Sequence, residues 1–245
     1  MKAIVVGASS GIGAAIARQL AQEGASVALI ARRQTELDKI IAELTLDKKG
    51  RALAYTHDVT NYDATPALFD RIVADLGGLD LLVYAAGVMP NIEESEYDFA
   101  KDRAMIEVNV IGAMAWCNPA AAHFEAHRKG SIVGISSIAG ERGRRGNPAY
   151  CTSKAALTTY LEGLRNRLSR YGVNVVTIKP GFVATAMTQG KPGLFWLVQP
   201  EDIANTTLAL ARAGNGAARF VPRRWWLVAF IVRMLPSFIF RRLNF

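Results

Sequence analysis

Short apolar runs rich in Val, Ile and Leu alternate along the chain with longer segments in which apolar residues recur every three or four positions. Runs of the first kind suit strands buried on both faces, and the second kind predicts amphipathic helices that cover them. The pattern predicts strands near residues 2–6, 26–30, 52–56, 79–84, 131–135, 173–178 and 218–221. Helices are predicted over 11–23, 34–48, 61–76, 100–127, 148–171 and 200–212. Each strand-to-strand crossover is right-handed, so helices land on both faces of one doubly wound, seven-stranded parallel sheet, an α/β fold. No linker, repeat or low-complexity stretch divides residues 1–221, which read as a single domain followed by an aromatic and arginine-rich extension over 222–245. Ligands in such sheets bind outside the carboxyl ends of the strands. Chemistry is therefore expected in the loops 7–13, 31–33, 57–60, 85–91, 136–147 and 179–198.

Composition narrows the picture. At 245 residues, 51% hydrophobic and 20% charged, the chain is long enough to bury a substantial core. No apolar stretch reaches the roughly 20 residues that span a bilayer. The N-terminal Met1-Lys2-Ala3-Ile4-Val5-Val6-Gly7 reads as a strand entering a glycine loop rather than a secretory signal. Cys117 and Cys151 provide neither a disulfide framework nor metal-ligand spacing, so a reducing, cytoplasmic setting without a bound metal is expected. The net charge of +8 is unevenly placed: residues 1–202 carry 22 basic and 21 acidic residues, +1, whereas 203–245 carry seven arginines and no acid, +7. The excess is a property of the C-terminal segment, where arginines alternate with bulky aliphatics instead of forming the continuous polar face that nucleic acid requires.

After the first strand comes Gly7-Ala8-Ser9-Ser10-Gly11-Ile12-Gly13, with a helix following at once. Glycines let the backbone approach a pyrophosphate, and the helix N-terminus offers free N–H groups and a favourable dipole. The second strand ends in Ala31-Arg32-Arg33. An acid there would favour NAD by accepting bonds from ribose hydroxyls; Arg32 and Arg33, with Ser9 or Ser10 nearby, favour a 2′-phosphate and hence NADP(H) over NAD(H). Asp58-Val59, after the third strand, is placed to meet an adenine amino group, although an Asp there also serves as a turn or cap residue. Further along, Ser131-Ile132-Val133-Gly134-Ile135-Ser136-Ser137 precedes Tyr150-Cys151-Thr152-Ser153-Lys154. Tyr150 and Lys154 share a helix face, and an adjacent ammonium lowers a phenol's pKa. A serine hydroxyl, a tyrosine and a lysine together suit protonation of a carbonyl as hydride arrives.

These residues resemble the short-chain dehydrogenase/reductase family: the glycine loop, Ser137, the Tyr-x-x-x-Lys and the downstream Pro180-Gly181 match its motifs in order, over residues 2 to about 221. The resemblance implies a Rossmann-like domain, a nicotinamide cofactor and interconversion of a carbonyl with a secondary alcohol. It assigns acid/base work to Tyr150, the substrate oxygen to Ser137, and ribose binding and tuning of the tyrosine to Lys154. Asn109 matches the helix asparagine that anchors a water in the proton relay. Pro180-Gly181-Phe182-Val183-Ala184-Thr185 resembles the segment in which Thr185 and the backbone near Val183 hold a carboxamide. Two departures are Val6 where the family often has Thr, and Tyr84-Ala85-Ala86-Gly87 where it has Asn-Asn-Ala-Gly. Loss of the asparagines removes amide bonds that brace the sheet, while Ala85, Ala86 and Gly87 still present backbone to the adenosine side.

Beyond the motifs, the apolar Leu194-Phe195-Trp196-Leu197 within the loop 187–199 suggests a cover over a lipophilic substrate, or packing on the body or another subunit. The extension 222–245 suits either a peripheral contact with a membrane surface or a homo-oligomer interface, dimeric or tetrameric, or both. The competing reading of the whole is a non-catalytic NADP-binding regulatory or scaffold protein, against which the joint presence of Ser137, Tyr150 and Lys154 argues.

Overall fold

A computed structural model describes residues 1–47, 50–190 and 193–243. Its parallel sheet runs β3-β2-β1-β4-β5-β6-β7. The strands are β1 (Lys2–Val6), β2 (Ser26–Ala31), β3 (Arg51–Thr56), β4 (Leu81–Tyr84), β5 (Ser131–Ile135), β6 (Asn174–Pro180) and β7 (Ala217–Val221). Side chains alternate across the pleat, and β1 shows the consequence. Ala3 and Val5 pack under helices α1 (Gly11–Gln22), α2 (Gln34–Asp47) and α7 (Pro200–Ala213), whereas Ile4 and Val6 face α3 (Thr65–Leu76), α5 (Gly112–His127) and α6 (Pro148–Leu168). Strand order reverses between β1 and β4, whose register sets Val6 beside Tyr84. The loops after both strands therefore diverge from one point, opening the crevice that a doubly wound sheet offers to ligands.

The elements differ from the hydrophobic pattern in instructive places. The helix predicted from 61 begins at Thr65, because Asn61 and Thr65 close turns onto Asp58 and Tyr62 and Pro66 then occupies the first helical turn. The fourth strand starts at Leu81 rather than 79, after the left-handed Gly77 and Gly78 (φ +70° and +131°). Position 48 of the second predicted helix lies outside the described residues. The long helix predicted over 100–127 is α4 (Phe99–Ile106) running into α5 through a π-helical turn, Glu107–Ile111. Such turns widen the backbone ladder and frequently sit at functional sites. This one carries Asn109.

Tyr84, where the family has an asparagine, makes a tie of its own. Its ring is fully buried, and its hydroxyl donates to the Val108 carbonyl in the π turn (2.5 Å). Space for that hydroxyl exists because residue 112 is glycine; a methyl group there would lie 2.6 Å from it. A phenol thus ties β4 to the π turn. Beyond β7 the chain forms α8 (Trp225–Met234) and α9 (Ser237–Phe240), separated at Pro236. Among the described residues no helix is long and apolar enough to cross a membrane. Tyr84→Phe is expected to cost about 1–3 kcal/mol by leaving the Val108 carbonyl unpaired. An unchanged urea midpoint would show that the bond contributes nothing.

Candidate active site

At the end of β1, the glycines are required by close approach. A methyl group at Gly7 (φ +88°) would fall 2.5 Å from the Ala86 nitrogen, and one at Gly13 would overlap the Gly7 carbonyl. Gly11 (φ +55°) lies against the Thr185 methyl. The backbone is thereby packed into a cradle at the α1 N-terminus, where Ser10 adopts extended geometry and makes no side-chain cap. A groove of about 350 Å³ runs over this cradle. It is lined by Gly7, Ser9, Ser10, Gly11, Ile12, Gly13, Arg32, Arg33, Asp58, Val59, Ala85, Ala86, Gly87 and Thr185, so the predicted adenosine-side residues lie along one surface. The cradle fits a dinucleotide pyrophosphate: small residues, free N–H groups and a helix dipole coincide.

Arg33 Nη2 donates to both Ser9 Oγ (2.9 Å) and Ser10 Oγ (3.0 Å). Arg32 is exposed, 3.8 Å from the Asp58 carboxylate. Asp58 is also a turn residue, as its Oδ1 accepts from the Thr60 amide and hydroxyl. Asp58 thus caps its turn and also lines the groove.

A second cavity, about 480 Å³, continues from the first through Ile12, Ala85, Gly87, Thr185 and Met187. Ser137, Tyr150, Lys154, Pro180, Gly181 and Val183 line it. Asn147, which the motifs do not include, fixes the start of α6: its Oδ1 accepts from the Tyr150 amide (2.9 Å), and Pro148 follows at the first helical position. An Asn-Pro pair before a helical run is the ordinary signature of such a start. Lys154 Nζ donates to the Ile135 carbonyl (2.9 Å), and Ser136 Oγ donates to the Lys154 carbonyl (2.9 Å). These bonds clamp α6 to the end of β5.

Asn109 is fully buried, and both its amide hydrogens are spent. They go to the Val88 carbonyl (3.0 Å) and Ser153 Oγ (2.9 Å), while Oδ1 accepts from the Val88 amide (2.8 Å). Ser153 Oγ in turn donates to the Tyr150 carbonyl (2.8 Å). The asparagine therefore joins the loop after β4 to the first turns of α6.

Electrostatics depart from the expectation that Lys154 draws the tyrosine down. Burial pushes the Tyr150 phenol up to about 12; the Ser137 hydrogen bond and the Arg144 charge oppose this without cancelling it. Burial likewise lowers the Lys154 ammonium to about 8. Nζ sits 5.7 Å from the phenol ring centre and is spent on Ile135, so desolvation outweighs the ammonium's pull. Arg144, absent from the motif reading, lines this cavity, and its Nε is buried without a hydrogen-bond partner among the described residues.

The loop 187–199 divides its work. Met187 and Leu194 line the cavity, whereas Phe195 and Trp196 pack on Trp225 of α8, at ring centroid distances of 5.0 and 5.4 Å. Trp225 also stands edge-on to Phe182 (5.6 Å), and a methyl group at Gly181 would overlap its indole. The extension is held by the segment just after Ser137. Arg142 Nη1 donates to the Val232 and Leu235 carbonyls (2.6 and 2.5 Å) at the α8 C-terminus, and buried Glu141 receives Lys179 (2.8 Å) and Arg233 (2.5 Å).

Comparison with known proteins agrees with this arrangement. Residues 1–192 match the family model described as short chain dehydrogenase. A cis-4-hydroxycyclohexanecarboxylate dehydrogenase of Sinomonas cyclohexanicum is 34% identical over 231 residues, 89% of this chain and 91% of that one. Among solved structures, a short-chain type dehydrogenase/reductase from Mycobacterium ulcerans superposes with a TM-score of 0.83 at 28% identity, over 89% of this chain and 86% of that one. A 3-oxoacyl-[acyl-carrier protein] reductase from Brucella melitensis gives 0.80 at 25% identity, over 90% and 89%. With the family model matching residues 1–192 and the sheet superposing on solved members, the chain belongs to the short-chain dehydrogenase/reductase family of oxidoreductases, which act on alcohol and carbonyl groups with a nicotinamide cofactor.

Proposed function

We propose that the protein is an NADP(H)-dependent oxidoreductase that interconverts a lipophilic carbonyl compound and its secondary alcohol. The observation that carries the reading is the convergence of Ser137, Tyr150 and Lys154 in a cavity continuous with the cofactor groove. When bound, the nicotinamide supplies or accepts the hydride. Ser137 Oγ and the Tyr150 hydroxyl hold the substrate oxygen, and Tyr150 gives up its proton as the carbonyl is reduced, or takes one in the reverse direction. A phenol kept protonated by burial suits the reducing role, because the group must be a proton donor at neutral pH. Lys154 carries the ribose contact and the charge behind the phenol; Asn109, assigned to anchoring a relay water, also positions α6 through its committed amide hydrogens.

NADP(H) preference rests on Arg33, fixed by Ser9 and Ser10 into a basic, hydroxyl-lined cup with Arg32 at its rim. No acid stands at the end of β2 to accept ribose hydroxyls. Pro180, Gly181, Val183 and Thr185 form the carboxamide end, where Thr188 braces the loop by donating to the Thr185 carbonyl (3.0 Å). A lipophilic substrate is favoured by Met89, Pro90, Ile92, Phe182 and Leu194 around the polar floor. The substrates in the names of the Sinomonas relative and the Brucella neighbour, an alicyclic hydroxy acid and a 3-oxoacyl group, frame a first panel. Residues 1–221 constitute the catalytic domain in this reading, with 222–245 as an addition that provides a docking surface. Assembly into a dimer or tetramer in a reducing, cytoplasmic setting accords with the family and with two buried, unpaired thiols.

Tyr150→Phe is expected to lower turnover of a true substrate about 10²–10⁴-fold while NADPH affinity changes less than about threefold. Retained turnover in stopped-flow assays would remove Tyr150 from the reaction. Arg33→Ala should weaken NADPH binding about 10–100-fold and leave NADH binding unaltered, as read by fluorescence titration; an equal loss for both cofactors would contradict the 2′-phosphate assignment. Lys154 provides a pH signature. Its folded pKa near 8 lies below the ordinary 10.5, so between pH 8 and 10 the unfolded chain binds a proton that the folded chain releases. Stability due to this residue therefore rises with pH in that window. Relative to Lys154→Met, the wild type should gain stability from pH 8 to 10 in urea unfolding; a difference constant with pH would refute the buried ammonium.

A further inference from the structure

We propose that α8 and α9 form a docking surface for an anionic lipid bilayer, lying in the plane of its interface beside the catalytic cavity. An ordinary surface helix has one apolar stripe. α8 has two. Trp225, Val228, Ala229 and Val232 face the body, whereas Trp226, Leu227, Phe230, Ile231 and Met234 are exposed to solvent. Trp226, Phe230 and Met234 each expose more than half their surface, at 57%, 55% and 68%, and Phe238 and Ile239 extend the same character along α9. Trp196, 36% exposed, adjoins the start of α8 through its contacts with Trp225 and Arg224, and Leu197 beside it in sequence is 46% exposed.

Charge selects the occupant. Arg223 and Arg224 are exposed just before α8, Arg241 and Arg242 are exposed just after α9, and Arg224 lies over the Trp196 ring at 4.5 Å. No acidic residue follows Asp202 in the chain. The carboxylate that does meet the segment, Glu141, is only 2% exposed and already shared by Lys179 and Arg233. A twofold contact between two copies would set this patch against itself and bring arginines together with no carboxylate between them. An anionic leaflet provides the missing countercharge and places indole rings at headgroup depth. At ten residues α8 cannot span, so it must lie along the surface.

A second feature gives the location a use. An apolar cavity of about 370 Å³ lies beneath α8, lined by Phe195, Trp225, Val228 and Val232, and it shares Ile138, Ala139, Arg144 and Phe182 with the catalytic cavity. A substrate with an apolar tail would find a mostly apolar wall, with Arg144 at the junction, from the lipid-facing helix to the neighbourhood of Tyr150. This part rests on the lipophilic-carbonyl reading; the docking surface does not.

Flotation of the full chain with phosphatidylcholine vesicles, with and without about 30 mol% phosphatidylglycerol, tests the surface without requiring turnover. A Phe230→Glu, Met234→Glu variant alters only the outer face; circular dichroism and NADPH titration establish that it is folded. Wild type is expected to float with the anionic vesicles and not the neutral ones, and to lose about tenfold in bound fraction at 0.5 M NaCl. The folded variant should lose flotation by a similar factor while its sedimentation mass stays that of the wild type. Absence of wild-type flotation, or equal flotation by the variant, would overturn the proposal. So would a fall in oligomer mass in the variant, which would assign the face to a second copy. Because the readout is binding, a failure of the carbonyl assignment leaves this result interpretable, and the converse also holds.

Discussion

A lysine ammonium held out of water at the carboxyl end of β5 is the constraint around which the site is arranged. Burial penalises that charge, and a single neutral carbonyl, that of Ile135, receives it directly. Two glycines stand close to it. A methyl group at Gly87 would lie 3.5 Å from Nζ, and one at Gly140 would collide with the Lys154 backbone at 2.7 Å. Ser136 holds the lysine's own carbonyl. The same desolvation raises the phenol beside it, so that the tyrosine stays protonated and the lysine stands ready to release or hold its proton near physiological pH. One physical effect, removal of water, thus sets both groups for the proposed chemistry.

Holding a buried ammonium and phenol in place requires fixed neighbours, and three side chains provide them. Asn109 in the π turn ties the loop after β4 to Ser153 on α6, and Asn147 caps that helix directly beneath Tyr150. Tyr84 fixes the π turn. On the remaining side, the extension is fastened to Glu141 and Arg142, a few residues beyond Ser137, and Trp225 fills the space left by Gly181. The C-terminal helices consequently touch the segments that carry Ser137 and Pro180-Gly181-Phe182. Whatever surface they dock upon is mechanically close to the reaction.

Much of this was legible in the sequence because local chemistry determines it. Buried parallel strands announce themselves as aliphatic runs, and the glycine cradle, the paired arginines and the Tyr-to-Lys spacing are each written within a few residues. What escaped depends on residues far apart in the chain or on backbone detail without a compositional mark. A π turn has the same hydrophobic periodicity as the α-helix around it, so 107–111 read as continuous helix. Tyr84 looked like a lost asparagine until Val108 and Gly112 were placed beside it. The start of α3 carried its signal in Pro66, which periodicity alone overlooked. For the extension, composition showed apolar residues all round, but only the fold could separate the face seated on Phe182 from the face left to solvent.

The central claim, hydride delivery to a carbonyl carbon with protonation by Tyr150, is tested most directly by isotope tracing. NADPH dideuterated at nicotinamide C4 is turned over with a panel of lipophilic ketones in ordinary water, and the alcohol is analysed by mass spectrometry. The account predicts one deuterium on the carbinol carbon and an exchangeable protium on its oxygen. A carbinol hydrogen drawn from water, or no reduction of any panel member by protein that binds NADPH, would contradict it.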